Sequence, residues 1–382
     1  MTRLFFIINS FSMGGGAEAL LTQIVNNLNA QKYEIGIMEI IHGKVKNEPV
    51  NDNIKIYPYY TLADAPDRKE RMYYVYHEWN KVIKKYIPQD YDIYISFNYL
   101  KPTFLLPEGK KCISWIHGDV YNLLNEDKIE ERYLQNLAFK KVDKIVTISD
   151  ITMWSVRELF PEHKDKILMI CNGIDTKKIY EKSKENTDLK LQHPAILSIG
   201  RLDENKNPVR LFNIYKMLNK KMPSAHLYYL GYGKLSDDIE RLSNENNLSD
   251  KVHLLGYYDN PFPIIKQCDA VGMFSKSEGF PLALLEAVTL GKPFVSSVIG
   301  GAKILSGEYN CGEVVETDKE AVEKFEELLN GDRDKQKEKC AKTIKRFELK
   351  EYMYSTAFEA LIGYLYLTGK NNRLKEIFSK VF

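Results

Sequence analysis

Short apolar, β-branched runs alternate with amphipathic stretches along most of the chain. Residues 4–8 predict a first strand and 17–28 the helix that follows it. Residues 91–97, 112–116 and 144–148 predict later strands, each too uniformly apolar to keep a solvent face. Near residue 172 the pattern breaks into NGIDTKKIYEKSKENTDLKLQH, a charged stretch without apolar periodicity that is expected to be an interdomain linker. A second alternation then begins, with strands expected at 195–199, 227–230, 252–255, 270–274 and 294–296 and helices at 208–218 and 282–290. After Asp318 the pattern is helical, ending in 352–367 and 373–382. Strand and helix in alternation are the mark of a parallel sheet wrapped by helices, so the expectation is two doubly wound α/β units in tandem. Ligands of such sheets bind beyond the carboxyl ends of the strands, and two facing units would place a cleft between them.

Length and composition narrow this picture. The chain of 382 residues exceeds one typical domain, and 44% apolar with 28% charged residues is ordinary for globular proteins. A net charge of +2 argues against a dedicated nucleic-acid binder. The 25 tyrosines are expected mainly in half-buried core and interfaces. Cys112, Cys171, Cys268, Cys311 and Cys340 have neither zinc-site nor disulfide-framework spacing, which favours a reducing compartment. No signal-peptide core or membrane span is legible, so a soluble or peripheral protein is expected.

Candidate chemistry concentrates in FSKSEGFPLALLEAVTLGKPFV at 274–295. Glu278 follows a strand, then Gly279, Phe280 and Pro281 lead into a helix carrying Glu286. A helix start offers unpaired N–H groups and a positive dipole end to a phosphate. Eight helical positions would separate the two carboxylates by roughly 12 Å, a span that suits a ligand with hydroxyls at both ends and phosphates between. Before this, Gly200 leads through Arg201 and Lys206 to Asn207 as an expected N-cap and Pro208 at the first helical position. Two cations in a strand-to-helix turn match a diphosphate, although a loop of surface ion pairs reads the same way in isolation.

The run GRLDENKN at 200–207, GYGKLSDDIERL at 231–242, VHLLGY at 252–257 and the Glu278–Glu286 segment resemble, in order and spacing, the family 4 glycosyltransferases. ICNGIDTKKI at 170–179, MGGGAEALL at 13–21 and SWIHGD at 114–119 extend the resemblance over nearly the whole chain. It implies the GT-B architecture: two Rossmann-like domains facing across a cleft, with closing helices that return to the first domain. Residues 1–175, with a helix at about 368–382, would bind the acceptor, and 176–367 the nucleotide-sugar donor. It further implies a retaining, metal-independent hexosyltransferase without a cofactor, moving a sugar from a donor, most often a UDP-sugar, to a carbohydrate, lipid-linked or protein-linked acceptor. The amino-terminal pattern is similar to transferases of bacterial surface polysaccharide and capsule.

Carried onto this sequence, the resemblance makes Arg201 and Lys206 diphosphate clamps, Glu286 the ligand of the ribose hydroxyls and Glu278 that of the donor sugar. Backbone N–H groups from Phe280, Pro281, Leu282 and Ala283 would hold sugar and phosphate, with Gly279 in the same donor site. His117 would sit beside the reacting sugar, and Gly14, Gly15 and Gly16 would close over the donor phosphate or the acceptor. Gly256 and Tyr257 would lie near the base. Glu278, His117, Arg201 and Lys206 are the expected catalytic set. Ala302-Lys303-Ile304 after Gly300 and Gly301 departs from the apolar-Pro-Glu of many members. Two other readings stay open: a silent GT-B partner subunit that binds a glycosylated substrate, and a sugar-nucleotide epimerase.

Three lesser features complete the sequence reading. Gly14–Gly16 lacks the spacing of dinucleotide binders. The D-Y-D at 90–92 precedes its strand, unlike a metal-binding D-x-D, and no metal site is expected. The basic, aromatic segment 68–87 fits either core packing or contact with an anionic membrane, which would place a cytoplasmic protein at the inner membrane face.

Overall fold

The computed structural model describes residues 1–12, 16–41, 51, 54–58, 78–124 and 128–348. The chain divides into two compact units between Asn172 and Gly173, where the sequence placed the boundary after residue 175. In the first unit seven parallel strands run β1 (Thr2–Ile8), β2 (Tyr33–Glu39), β3 (Ile54–Pro58), β4 (Ile93–Phe97), β5 (Lys111–Ile116), β6 (Lys144–Thr147) and β7 (Ile167–Met169), in the spatial order β3-β2-β1-β4-β5-β6-β7. The second has six, β8 (Ala195–Ile199), β9 (His226–Leu230), β10 (Val252–Gly256), β11 (Ala270–Met273), β12 (Phe294–Ser297) and β13 (Gly312–Val315), in the order β10-β9-β8-β11-β12-β13. Both are doubly wound α/β sheets. In each, the strand order reverses beside the first strand, between β1 and β4 and between β8 and β11. Those reversals are where open α/β sheets bind ligands.

The cores explain the apolar runs. Phe5, Phe6 and Ile7 of β1 and Ile196 and Leu197 of β8 are fully buried, and each such side chain contributes about 1.5–3 kcal/mol relative to exposure. Of the tyrosines, Tyr121, Tyr133, Tyr180, Tyr232, Tyr257, Tyr258 and Tyr309 are exposed, while Tyr33, Tyr94, Tyr215, Tyr228 and Tyr229 are buried in this packing and Phe5 sits 4.9 Å from Tyr91 and 5.6 Å from Tyr57. Gly36 is required opposite them, since a Cβ there would lie 2.5 Å from the Tyr91 hydroxyl. The D-Y-D acids hold the start of β1, Asp90 pairing with Arg3 at 2.7 Å and Asp92 accepting the Arg3 amide at 2.7 Å.

The expected linker is a folded part of the second unit. Residues Thr176–Lys182 form a helix capped by Asp175, whose carboxylate accepts the Lys178 amide at 2.9 Å. Thr176 donates to Glu348 at 2.8 Å, and Asn260 donates to the Lys182 carbonyl at 2.8 Å. A helix this short has too few apolar positions for periodicity to reveal it. Of the basic aromatic segment, helix Trp79–Tyr86 is described: Val82 and Ile83 are buried, Trp79 packs 5.3 Å from Phe104, and the Lys141 ammonium lies 4.9 Å from the Trp79 ring centre. Its apolar face is therefore core. The rest of that segment and the closing helices fall outside the described residues. Among the described residues no helix is long and apolar enough to cross a membrane.

Candidate functional site

The two sequence segments singled out for ligand chemistry are the two loops at the strand reversal of the second unit. β8 and β11 are adjacent and parallel, with Ala270 opposite Ile196 and Val271 opposite Leu197, so the chain leaves both at one sheet edge. The loop after β8 is organised by Asp203, whose carboxylate accepts the Lys206 amide at 2.9 Å and lies 3.1 Å from the Arg201 guanidinium. Asn207 does occupy the position before the helix Pro208–Asn219, but with a φ of 51° and no side-chain capping bond. Its value there is tolerance of the left-handed region, not the expected capping by its side chain. Asn205 stitches the loop to its neighbour, donating to Ser277 O at 3.0 Å and accepting from Lys276 N at 2.7 Å. The Lys206 ammonium then reaches Glu278 at 2.7 Å, with the side chains 24% and 15% exposed, while Arg201 stays 77% exposed. The structure thus pairs two candidate site residues with each other.

The helix start after β11 is less open than expected. Helix Leu282–Thr289 begins one residue after Pro281, which has no N–H to give. Leu282 donates to Phe280 O at 3.0 Å, and Leu284 to Pro281 O at 3.0 Å. Of the four residues from Phe280 to Ala283 expected to supply amides, Pro281 cannot and Leu282 is engaged. Since only 282–289 is helical, the expected 12 Å helical rise between Glu278 and Glu286 does not apply. The Phe280 side chain is 5% exposed and belongs to the packing, 5.9 Å from Phe347 and directly under Gly301, where a Cβ would come within 2.4 Å of its ring. Burial raises the Glu286 carboxyl from its ordinary range to about 7, so near neutrality it is poised between acid and carboxylate.

The turns after β9 and β10 adjoin this edge. Gly231 donates to Gly256 O at 2.8 Å, and Leu202 donates to Tyr232 O at 3.3 Å. A Cβ on Gly231 would lie 1.9 Å from Gly200 O, and one on Gly233 2.3 Å from Leu202 O. The G-Y-G sequence is thus a solution for backbone packed on backbone. Tyr232 and Tyr257 are 71% and 73% exposed.

In the first unit, Gly16 opens helix Gly16–Asn27, while Gly14 and Gly15 lie outside the described residues. The turn leading there is held by Glu39, whose carboxylate accepts Phe11 N at 2.8 Å, Ser12 N at 3.0 Å and the Ser12 hydroxyl at 2.8 Å. His117 follows β5 with its ring centred 4.1 Å from that of Phe97 and 5.7 Å from that of Trp115. Burial lowers its pKa to about 3, so it is a neutral imidazole, and its buried Nε2 has no protein partner. It can meet a ligand hydroxyl but carries no charge for one. Arg201, Lys206, Glu278, Glu286, Gly256 and Tyr257 belong to one unit, His117 and Gly16 to the other. Sequence reasoning missed Glu39, Asp203 and Asn205, whose work is hydrogen bonding across loops; only their position beside the motifs hinted at it.

Residues 14–178 match the family model described as Glycosyltransferase Family 4, and residues 179–347 that described as Glycosyl transferases group 1. The chain is 32% identical over 202 residues to the Campylobacter jejuni N-acetylgalactosamine-N,N'-diacetylbacillosaminyl-diphospho-undecaprenol 4-alpha-N-acetylgalactosaminyltransferase, covering 53% of this chain and 54% of that one. The match thus spans about half the length of that relative. A second C. jejuni protein, a GalNAc-alpha-(1->4)-GalNAc-alpha-(1->3)-diNAcBac-PP-undecaprenol alpha-1,4-N-acetyl-D-galactosaminyltransferase, is 25% identical with 88% and 91% covered. The crystal structure of Anabaena HepE in complex with UDP is similar with a TM-score of 0.69 at 16% identity, over 92% of this chain and 97% of that one. The fold is the GT-B class expected from the sequence.

Proposed function

This chain belongs to glycosyltransferase family 4, and from that premise we propose that it transfers a sugar from a nucleotide donor, a UDP-sugar, to a glycan or lipid-linked acceptor in surface polysaccharide or glycoconjugate synthesis. The relatives that act on diphospho-undecaprenol-linked glycans and the neighbour that holds UDP support the choice of substrates. One observation carries the reading: Lys206 and Glu278 meet at 2.7 Å at the strand reversal, with Arg201 in the same loop and Glu286 on the helix that follows Glu278.

The chemistry follows from this pair. A diphosphate drawn to Lys206 and Arg201 competes with Glu278 for the lysine and frees that carboxylate to accept the sugar hydroxyls. Glu286 holds the ribose. Bond breaking between the anomeric carbon and the phosphate oxygen places negative charge on the diphosphate, which the two cations stabilise. The acceptor oxygen bonds to the anomeric carbon on the same face and its proton passes to the leaving phosphate oxygen, so configuration is retained without an enzyme nucleophile or a metal. Neutral His117 orients the donor sugar by a hydrogen bond. The protein works in the cytoplasm at the inner face of the membrane, where such acceptors are presented.

A panel of nucleotide-sugars monitored by nucleotide release, with proton NMR of the product's anomeric signal, tests this. One donor is expected to be cleaved with retention in the presence of EDTA, and Lys206→Ala to abolish cleavage. Absence of donor cleavage, or full activity in Lys206→Ala, sinks the reading.

A further inference from the structure

β5 and β6 end side by side, Trp115 opposite Val146 and Ile116 opposite Thr147. The chain leaving β5 passes His117 and turns at Asp119, whose carboxylate accepts the Tyr121 amide at 3.0 Å, into the short helix Val120–Leu123. The chain leaving β6 enters helix Asp150–Leu159, capped by Ser149. Ser155 locks the two helices: its hydroxyl accepts the Val120 N–H at 3.2 Å and donates to Thr152 O at 2.9 Å. This lock sets the rings of Tyr121 and Trp154 5.3 Å apart at 43°.

The two rings are nevertheless 47% and 51% exposed. Trp115, by contrast, is 1% exposed. Among the described residues neither the Tyr121 hydroxyl nor Trp154 Nε1 has a protein partner. Two large apolar faces with polar tips left open at the carboxyl edge of a parallel sheet, on the elements next to an unsatisfied His117 Nε2, form a recognition surface.

We propose that Tyr121 and Trp154 are a stacking platform for a pyranose ring of the acceptor, an assignment that rests on the transferase reading above. A pyranose presents C–H groups on its faces and hydroxyls at its rim. Tilted rings with an O–H and an N–H at their margins match both. A lipid surface fits less well: the helix carrying Trp154 begins on Asp150 and sets Glu158 beside Arg157, without the cluster of lysines and arginines that attracts an anionic bilayer.

Saturation-transfer NMR of the full chain with methyl glycosides of glucose, galactose and N-acetylgalactosamine tests the platform without turnover. At least one is expected to receive saturation on its ring protons, and to lose it in both Tyr121→Ala and Trp154→Ala. Trp154→Phe, which keeps a stacking face, should retain most of it. In turnover with a lipid-linked acceptor, Trp154→Ala should raise the acceptor KM about tenfold while the donor KM holds. Transfer to none of the glycosides, an unchanged acceptor KM in Trp154→Ala, or Trp154-dependent binding to phosphatidylglycerol vesicles with no effect on glycoside contact would each overturn the assignment. If the wild-type chain cleaves no donor, the transferase reading falls, and the NMR titration still decides whether the rings bind a sugar.

Discussion

Because Lys206 and Glu278 neutralise each other, removing one exposes the other. Lys206→Ala leaves a 15% exposed carboxylate without its cation, at a cost of about 1–2 kcal/mol that thermal melting should detect. If Lys206 stabilises the leaving diphosphate as proposed, donor kcat/KM should fall about 100-fold or more. The pair variant Lys206→Met with Glu278→Leu should recover the melting temperature and not the activity. Glu286 and His117 make opposite demands on pH. The Glu286 carboxyl is raised to about 7 in the fold against 4.5 when free, so the folded chain binds the extra proton between those values. Stability from this group is present below 4.5 and lost as pH rises through 7, on the order of 3 kcal/mol in all. Glu286→Gln should therefore gain stability over wild type at pH 8 and little at pH 4.5, read from denaturant midpoints. His117 is lowered to about 3 against 6.5, so there the unfolded chain binds the extra proton and stability falls as pH drops through 6.5. His117→Gln should remove that acid loss and leave the Glu286 dependence, and denaturant midpoints that do not vary between pH 4 and 8 in either single variant would contradict both assignments.

At the scale of elements, the candidate site rests on glycines where a neighbouring backbone or ring leaves no room for a side chain. Gly231 has a φ of 147° and no room beyond Gly200 O, and Gly301 has a φ of 77° with the Phe280 ring beneath it. Alanine at either position combines an unfavourable backbone region with a clash, costing about 3 kcal/mol or more. Gly256→Ala supplies the contrast, since its φ is 75° but no atom lies within 4 Å of a Cβ there. It should cost only the backbone penalty of about 1–2 kcal/mol. Melting temperatures of the three variants should rank accordingly. These same elements divide what the sequence could disclose from what it could not. Strands such as Ala270–Met273, buried along their whole length, announce themselves by uniform apolarity, and β8 and β11 lead straight into the motifs they position. Tyr33–Glu39 was missed because Gly36 and Glu39 interrupt its apolar run, one to admit Tyr91 and the other to hold the turn after β1. Ile167–Met169 is too short for a period to register, and Gly312–Val315 offers only Val314 and Val315 as an apolar run after Gly312 and Glu313. The ion pair between Lys206 and Glu278 joins residues 72 positions apart in different loops, and no local spacing in the sequence marks a pairing at that separation.

At the scale of the molecule, each unit has a core of its own among the described residues, the first around Phe5, Tyr94 and Phe139 and the second around Phe212, Tyr229 and Phe325. Proteins with separate cores of this size depart from a single all-or-none transition. Urea unfolding followed by tryptophan emission reports the first unit alone, because Trp79, Trp115 and Trp154 all precede Gly173. Far-ultraviolet circular dichroism reports both units. The two probes are therefore expected to give different midpoints. UDP distinguishes them further. If Arg201, Lys206 and Glu286 form the nucleotide site, UDP at about 100 times its dissociation constant adds about 2.7 kcal/mol to the second unit. The dichroism transition should then move to higher urea while the tryptophan transition stays where it was. Lys206→Ala should remove the shift. A tryptophan transition that moves by as much as the dichroism would mean that the nucleotide draws its binding energy from the first unit as well, and the assignment of the nucleotide to the second unit would have to be abandoned.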